Sequence, residues 1–402
     1  MIKSKQNNIL VFNCGSSSIK FMVINPDSEK YLIKGIAENL NAENPMISIE
    51  LSHKSLYKDF ILAQNDYKFA IEFIVNTLKA QHNLLNSLSG IGHRVVHGGE
   101  KFTKSALIDN QVEQAISECI PLAPLHNPAN LIGIKIAKKV FPNIPHIAAF
   151  DTSFHQTMDE TAYLYPVPFE WYTKHQVRRY GFHGTSHRYI SLKAAEFFNK
   201  PIDKLALISA HLGNGCSACA ILNGKSVDTT MGLTPLEGLM MGTRSGDVDP
   251  SLPIYMNQKT NMGFEECINN LNKKSGLLGV SQLSMDMRTL ESQAEKGHKQ
   301  AMLAIDLYCY KLAKHISSLL VPLGKLDGLI FTGGIGENSV LIRQKTTNLL
   351  KAIGLKLDQN KNANLKRGNV GNISIPGSPK ILVIPTNEEL MIAKDTINII
   401  NN

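Results

Sequence analysis

A chain of 402 residues is too long for one ordinary core, so at least two domains are expected. Its composition, 43% apolar and 19% charged with a single Trp, is that of a soluble globular protein, and no apolar run approaches the roughly 18 residues of a membrane span. The formal charge of +8 comes from scattered lysines rather than a basic stripe, which argues against nucleic acid; the densest basic stretch, Lys361 to Arg367, reads as a solvated loop.

Met1 to Leu10 holds two lysines but no long apolar region or small-residue cleavage site, and reads as the start of a cytosolic chain. Residues Ile9 to Ile24 then form an apolar strand, a turn Asn13-Cys14-Gly15-Ser16-Ser17-Ser18, and a second strand ending at Asn25-Pro26-Asp27. Ile144 to Phe150 reads as a further strand, closed by Asp151. Residues Leu207 to Leu222 repeat the opening pattern: strand, His211-Leu212-Gly213-Asn214-Gly215, strand, then the turn Asn223-Gly224. Asn13-x-Gly15 lines up with His211-x-Gly213, and two copies of one hairpin half a chain apart indicate a duplicated domain.

Apolar residues at 305, 308, 312, 316 and 319 predict a helix over Met302–Leu320, stopped by Pro322 and Gly324. A third Gly-rich turn, Gly333-Gly334-Ile335-Gly336-Glu337-Asn338, follows the strand Leu329–Thr332. Alternating strands and helices predict an α/β class with a boundary near residue 151. The six cysteines include one C-x-x-C, Cys216 and Cys219, with no second pair for zinc, so two reduced thiols in a strand are expected.

Glycine turns let backbone N–H groups approach phosphate oxygens closely. One such turn is no more than a hairpin; three in one chain, two related by repetition, point to a polyphosphate ligand. Lys20 could supply a point charge there, and Asn13 could hold a metal-bound water. Neither hairpin turn is a Walker motif, and Gly334-Ile335-Gly336 lacks the third glycine of a dinucleotide fingerprint. Phosphoryl transfer to an anion is catalysed mainly by positioning and fixed positive charge. Candidates stand in Gly92–Gly99, Tyr180–His187 and Gly242–Asp247, where Arg94 and Arg244 need an anionic partner, either a bound carboxylate or phosphate or a buried Asp. His183 and His187 have metal-ligand spacing but no intervening Glu, which argues against a metallohydrolase.

The Asn13–Lys20 and His211–Ser217 segments resemble the two signatures of the acetate kinase family, and His93–Gly99, Tyr180–His187, Phe331–Asn338 and Pro385–Leu390 are similar to further family motifs. The resemblance runs in order over about residues 9–397. It implies a duplicated actin-like ATPase fold of the ribonuclease H-like type, with two domains and an interdomain active-site cleft. Residues 1–151 plus 386–402 would form one domain, and residues 152–385 the nucleotide-binding and dimer-forming domain.

The implied reaction is reversible, Mg²⁺-dependent transfer of the ATP γ-phosphoryl group to acetate, giving acetyl phosphate and ADP, with Mn²⁺ as a substitute metal. By the same resemblance Asn13 and Glu388 hold the metal, while Lys20, His211, Leu212, Gly213, Asn214, Gly215, Asp286, Met287, Arg288, Gly334, Ile335, Gly336, Glu337 and Asn338 bind ATP. Arg94 binds the acceptor carboxylate, His183 and Arg244 stabilise the transition state, and Asp151 is the essential aspartate. Val96, Leu125, Phe182 and Pro235 line the alkyl pocket. Since a short fatty acid is already ionised at neutral pH, Asp151 is expected to orient rather than to abstract a proton. Cys14 stands where the family usually has Ala, and Met287 lies in a variable adenine-side triplet.

A homodimer in the cytoplasm, without nucleic-acid or membrane partners, completes the expectation. The alternatives are a propionate or butyrate kinase, an actin-like ATP-driven switch, and an exopolyphosphatase-like hydrolase.

Overall fold

Ile9, Leu10, Val11 and Phe12 are all buried, so the first strand is wrapped on both faces and has no polar side to give to water. It lies inside an eight-stranded sheet in a computed structural model that describes residues 7–81 and 84–402; Met1–Gln6, the tip of the stretch read as a cytosolic start, fall outside the described residues. The strands are β1 Asn8–Cys14, β2 Ile19–Asn25, β3 Lys30–Glu38, β4 Met46–Leu51, β5 Lys54–Ile61, β6 Leu88–Val95, β7 Ala106–Leu107 and β8 His146–Phe150. Their order is β5-β4-β3-β2-β1-β6-β8-β7, with β1 antiparallel to β2 and parallel to β6, and β6 parallel to β8.

The second sheet has six strands: β9 Ala206–Leu212, β10 Cys216–Leu222, β11 Lys225–Thr229, β12 Gly328–Thr332, β13 Gly371–Asn372 and β14 Lys380–Val383. Its order is β11-β10-β9-β12-β14-β13, again with an antiparallel hairpin beside two parallel neighbours. The series β3-β2-β1-β6-β8 and β11-β10-β9-β12-β14 thus share one topology. The match extends to register: Asn13 pairs with Lys20, and His211 pairs with Ser217, each one residue before its strand ends.

The chain divides into two compact units, Met1–Gln156 with Asn387–Asn402, and Thr157–Thr386. Gly98 N–H donates to Thr152 Oγ1 and the Gln156 amide to the Thr152 carbonyl, which tie the turn after β8 to the first unit. The returning helix Glu388–Asn401 packs on β1, β6 and β8. It comes this close because β6 carries Gly90 and Gly92; a Cβ at Gly92 would stand 2.5 Å from Ile392 Cγ2.

The helix over Lys299–Ser318 fits the predicted span, and Gly324 at φ +67° ends the short turn after it. Cys216 and Cys219 lie in β10 as free buried thiols. The stretch Lys361–Arg367 differs from the solvated loop expected of it. Asp358 caps a helix over Gln359–Asn364, and Asn362 inside it is buried against Arg343.

Candidate active site

The first unit gathers its chemistry at the C-terminal ends of its parallel strands, where ligands of open α/β sheets sit. Arg94 lies in β6, and Asp151 is the first residue past the neighbouring strand β8, its N–H bonded to the Val95 carbonyl. Arg94 donates through Nε (3.0 Å) and Nη2 (2.6 Å) to the two oxygens of Asp151, a fork-to-carboxylate pair. Its Nε is also 3.6 Å from Glu388, at the start of the returning helix, which Asn387 caps by accepting from Leu390 N–H. Asp151 is 1% exposed and Arg94 21%. Burial works against the Arg94 charge, but the two carboxylates outweigh it and raise the guanidinium above its ordinary value. Burial likewise pushes the Asp151 carboxyl up, against the pull of Arg94. Asp151 uses Nε and Nη2, which leaves Nη1 for a second anion.

Two buried asparagines that the sequence reading passed over fix these strand ends. Asn127 accepts from His97 N–H and donates to the His97 carbonyl; Asn130 accepts from Val96 N–H and donates to the Cys14 carbonyl. Both lie on the helix Asn127–Val140, which also presents Gly133 to Cys14: a Cβ there would stand 2.4 Å from Sγ. Tyr67 donates its hydroxyl to the Gly15 carbonyl and steadies the first glycine turn. Lys20, across from Asn13, is exposed.

Glu388 and Asn13 offer hard oxygen donors, and two carboxylates surround one guanidinium, so the cluster carries spare negative charge. This set fits Mg²⁺, which takes few protein ligands and keeps water and phosphate oxygens for the rest. No group of three or more His, Cys, Asp or Glu suited to a metal occurs among the described residues.

The second unit builds its cluster around the other hairpin. His183, at φ +56°, precedes the helix Gly184–Phe198 and stacks on His211 with ring centroids 4.3 Å apart. A Cβ on Gly215 would lie 3.4 Å from His183 Nε2 and 3.5 Å from Arg244 Nη1, so these two cationic-capable groups flank one glycine turn. Arg244 donates to the Pro235 carbonyl at 3.1 Å. Arg179, not singled out in the sequence, donates to three successive carbonyls, Thr229 to Met231, and to Glu237, and so sets the loop that carries Pro235.

Beside the same turn opens a cavity of about 400 Å³, lined by Gly213, Asn214, Asp286, Met287, Arg288, Gly334, Ile335 and Asn338, together with Met285, Glu291, Ser339 and Arg367. That is the size range of small-molecule sites. Leu212 is wholly buried, and Gly336 is buried behind the turn. Glu337 accepts from the N–H groups of Gly333 and Thr386 and so braces the loop. Gly333 sits at φ +75° with its Cβ position 2.8 Å from the Leu212 carbonyl oxygen, a place only glycine fills without strain. Arg343, buried, donates to the Gly336 and Glu337 carbonyls; burial pulls its guanidinium down to about 10. Arg367, first read as part of a solvated loop, belongs to this cavity wall. A lone exposed Arg among asparagines gave no signal of that.

The expected site residues therefore fall into two sets. Asn13, Lys20, Arg94, Val96, Leu125, Asp151 and Glu388 belong to the first unit; Phe182, His183, His211–Gly215, Pro235, Arg244, Asp286–Arg288 and Gly334–Asn338 belong to the second. Val96 and Phe182 are buried, whereas Leu125 is 48% exposed.

Residues 8–394 match the model of the Acetokinase family. The chain belongs to the acetokinase family. Among the family's members, an acetate kinase of Pseudomonas aeruginosa is 51% identical, covering 98% of this chain and 99% of its own. One from Deinococcus radiodurans is 50% identical, covering 97% and 98%. The crystal structure of a propionate kinase from Francisella tularensis superposes with a TM-score of 0.93 at 44% identity, covering 98% and 99%. That of Porphyromonas gingivalis acetate kinase gives 0.92 at 41%, with the same coverage. The duplicated actin-like α/β architecture is the family's fold, and no helix among the described residues is long and apolar enough to cross a membrane.

Proposed function

We propose that the chain is an enzyme that reversibly transfers the γ-phosphoryl group of ATP to acetate. A carboxylate oxygen attacks the γ-phosphorus, the bond to the β,γ-bridging oxygen breaks, and ADP leaves with that oxygen. Acetate is already ionised near neutrality, so no proton has to be removed. The full-length kinship with acetate kinases supports the substrate. The propionate alternative, raised by the Francisella structure, is the less favoured.

The observation that carries the mechanism is the fork of Arg94 on Asp151. Arg94 has a fixed plane and one nitrogen, Nη1, left to bind the acetate carboxylate; Asp151 orients it and supplies no base. His183 and Arg244, either side of Gly215, donate to the equatorial oxygens as charge spreads over the transferring phosphoryl. The cavity beside Gly213 and Gly334 holds the nucleotide. Lys20 meets the phosphates. Asn13 and Glu388 hold Mg²⁺, which when bound neutralises charge on the phosphate oxygens. Val96, Leu125, Phe182 and Pro235 bound the methyl group. The chemistry further requires the acceptor and the γ-phosphoryl to meet out of water, so closure accompanies turnover. Six free, buried cysteines support a reducing compartment such as the cytoplasm, and the family resemblance supports a homodimer.

The test is ATP-dependent acyl phosphate formation, trapped as hydroxamate, with acetate, propionate and butyrate in parallel. Acetate should lead, and propionate should trail by roughly 10- to 200-fold, the reach of one methylene. Propionate in the lead would change the substrate and leave the mechanism. ATP consumed without acyl phosphate would replace the kinase by a hydrolase or switch.

A further inference from the structure

His183 and Arg244, on either side of Gly215, stand on separate segments of the second unit, so their spacing depends on how those segments are joined. Tyr180 and Gly181, just before His183, donate their N–H groups to the Gly232 carbonyl at 3.0 and 3.3 Å. Arg179 grips the same loop at two places. Its Nη1 donates to the Thr229, Thr230 and Met231 carbonyls at 2.9, 3.1 and 3.2 Å, and its Nη2 to Glu237 Oε1 at 2.6 Å. Between these ties lies Pro235, whose carbonyl accepts from Arg244 Nη1 at 3.1 Å.

Glu237 closes the loop. Its other oxygen, Oε2, accepts from the Tyr165 hydroxyl, which in turn accepts from Leu233 N–H at 2.8 Å. An amide N–H only donates and a carboxylate paired with Arg only accepts, so the single hydroxyl hydrogen of Tyr165 goes to Glu237. The carboxylate thus holds one donor on each oxygen, and the guanidinium among them makes the stronger, charge-assisted bond. Gly232 makes this closure possible, because a Cβ there would overlap both the Glu237 carboxylate and the Tyr165 hydroxyl. Pro235 has no N–H of its own to anchor it, so the ties on either side aim its carbonyl.

We propose that Glu237 is a positioning residue: through Arg179 and Tyr165 it holds loop 229–237 at the spacing from the His183 segment that places Arg244 against the transferring phosphoryl group. The role of Arg244 at the phosphoryl rests on the function proposed above; the dependence of its placement on Glu237 does not. Both Glu237 oxygens are taken up by Arg179 and Tyr165, and the nucleotide cavity is lined by other residues. The effect of Glu237 on rate therefore passes through Arg244.

The deciding experiment is a double-mutant cycle on the full-length chain, read as hydroxamate-trapped acyl phosphate from ATP and acetate. Glu237→Ala alone should lower kcat roughly 10- to 100-fold, the reach of a small misplacement, with KM for ATP within about 3-fold. Arg244→Lys keeps the charge and loses the planar fork, and should slow turnover by itself. Added to Arg244→Lys, Glu237→Ala should cost no more than about 3-fold further, because the group it places is already gone. Losses that multiply in full, or an unchanged kcat in Glu237→Ala, overturn the proposal. If Glu237→Ala does not fold, Glu237→Gln, which can accept from only one of the two donors, runs the same cycle. About 5- to 10-fold is then expected alone and under about 2-fold in the Lys background, and multiplied losses again overturn it. The crystal structure of the folded variant gives an arm independent of activity: Arg244 Nη1 should leave the Pro235 carbonyl, and a bond kept at 3.1 Å overturns the proposal. Should the chain form no acyl phosphate at all, the function fails while that structure still decides the positioning.

Discussion

The two hairpins β1–β2 and β9–β10 share topology, register and a glycine turn, yet they carry different chemistry. In the first unit the facing pair is Asn13 and Lys20, and the neighbouring parallel strand delivers Arg94 to a carboxylate fork. In the second the facing pair is His211 and Ser217, and the corresponding strand β12 runs into Gly333 and the wall of a nucleotide-sized cavity. The duplicated part is the backbone that holds strand ends still. What differs is which side chain stands at each end, and on the proposed function that difference assigns the acceptor to one unit and the nucleotide to the other.

The comparison can be broken at either unit. The largest effect is expected from Asp151→Asn, which unlocks the plane of Arg94: kcat/KM for acetate should fall about 100-fold, ~2.7 kcal/mol. The loss should show in acetate affinity and appear without a new titrating limb. Retained acetate affinity with a rate that tracks one ionisation would make Asp151 a base. In the other unit, Gly333→Ala forces a side chain to φ +75° and against Leu212, and should cost about 1–3 kcal/mol of stability with weaker ADP binding. Denaturant melts and calorimetry would check both. Arg367→Ala should raise the ATP KM by roughly 3- to 10-fold and leave the acetate KM alone, as a rim charge does.

The smallest effect concerns pH. Burial holds His93 well below, and His146 below, the ordinary 6.5. The two rings are 2.9 Å apart through Nε2 and Nδ1, with Lys138 also disfavouring charge and Glu113 opposing it at His146. The unfolded chain takes up protons on them as pH drops through 6.5, and the folded chain does not. Stability is therefore full above that value and lost below it, by at most ~1.4 kcal/mol per histidine per pH unit. Thermal melts across that range would show the fall; a melting temperature that rises on acidification would contradict it.

Much of this architecture was legible from local pattern. The hairpin echo needs only strand, glycine turn and strand, so it gave the duplication before any contact was known. The extension β3–β5 was not legible, because β5 is exposed along most of its length and alternates weakly. Asn127 and Asn130 were missed for another reason. Their value lies in carbonyls and N–H groups far along the chain, such as Cys14, 116 positions away, and a residue type alone does not announce a distant partner. Arg94 was ambiguous between a bound anion and a buried Asp; the structure gives it the Asp and spares one nitrogen for the other role.

The central claim is that acceptor recognition and nucleotide recognition belong to separate copies of one scaffold. Arg94→Ala tests it most directly, by calorimetric ADP binding and hydroxamate-trapped acyl phosphate on the same preparation. The account predicts ADP affinity within about 2-fold of the unaltered chain, as expected for independent sites, with acetyl phosphate formation lost. Acyl phosphate that survives, or ADP affinity that falls with it, would contradict the division.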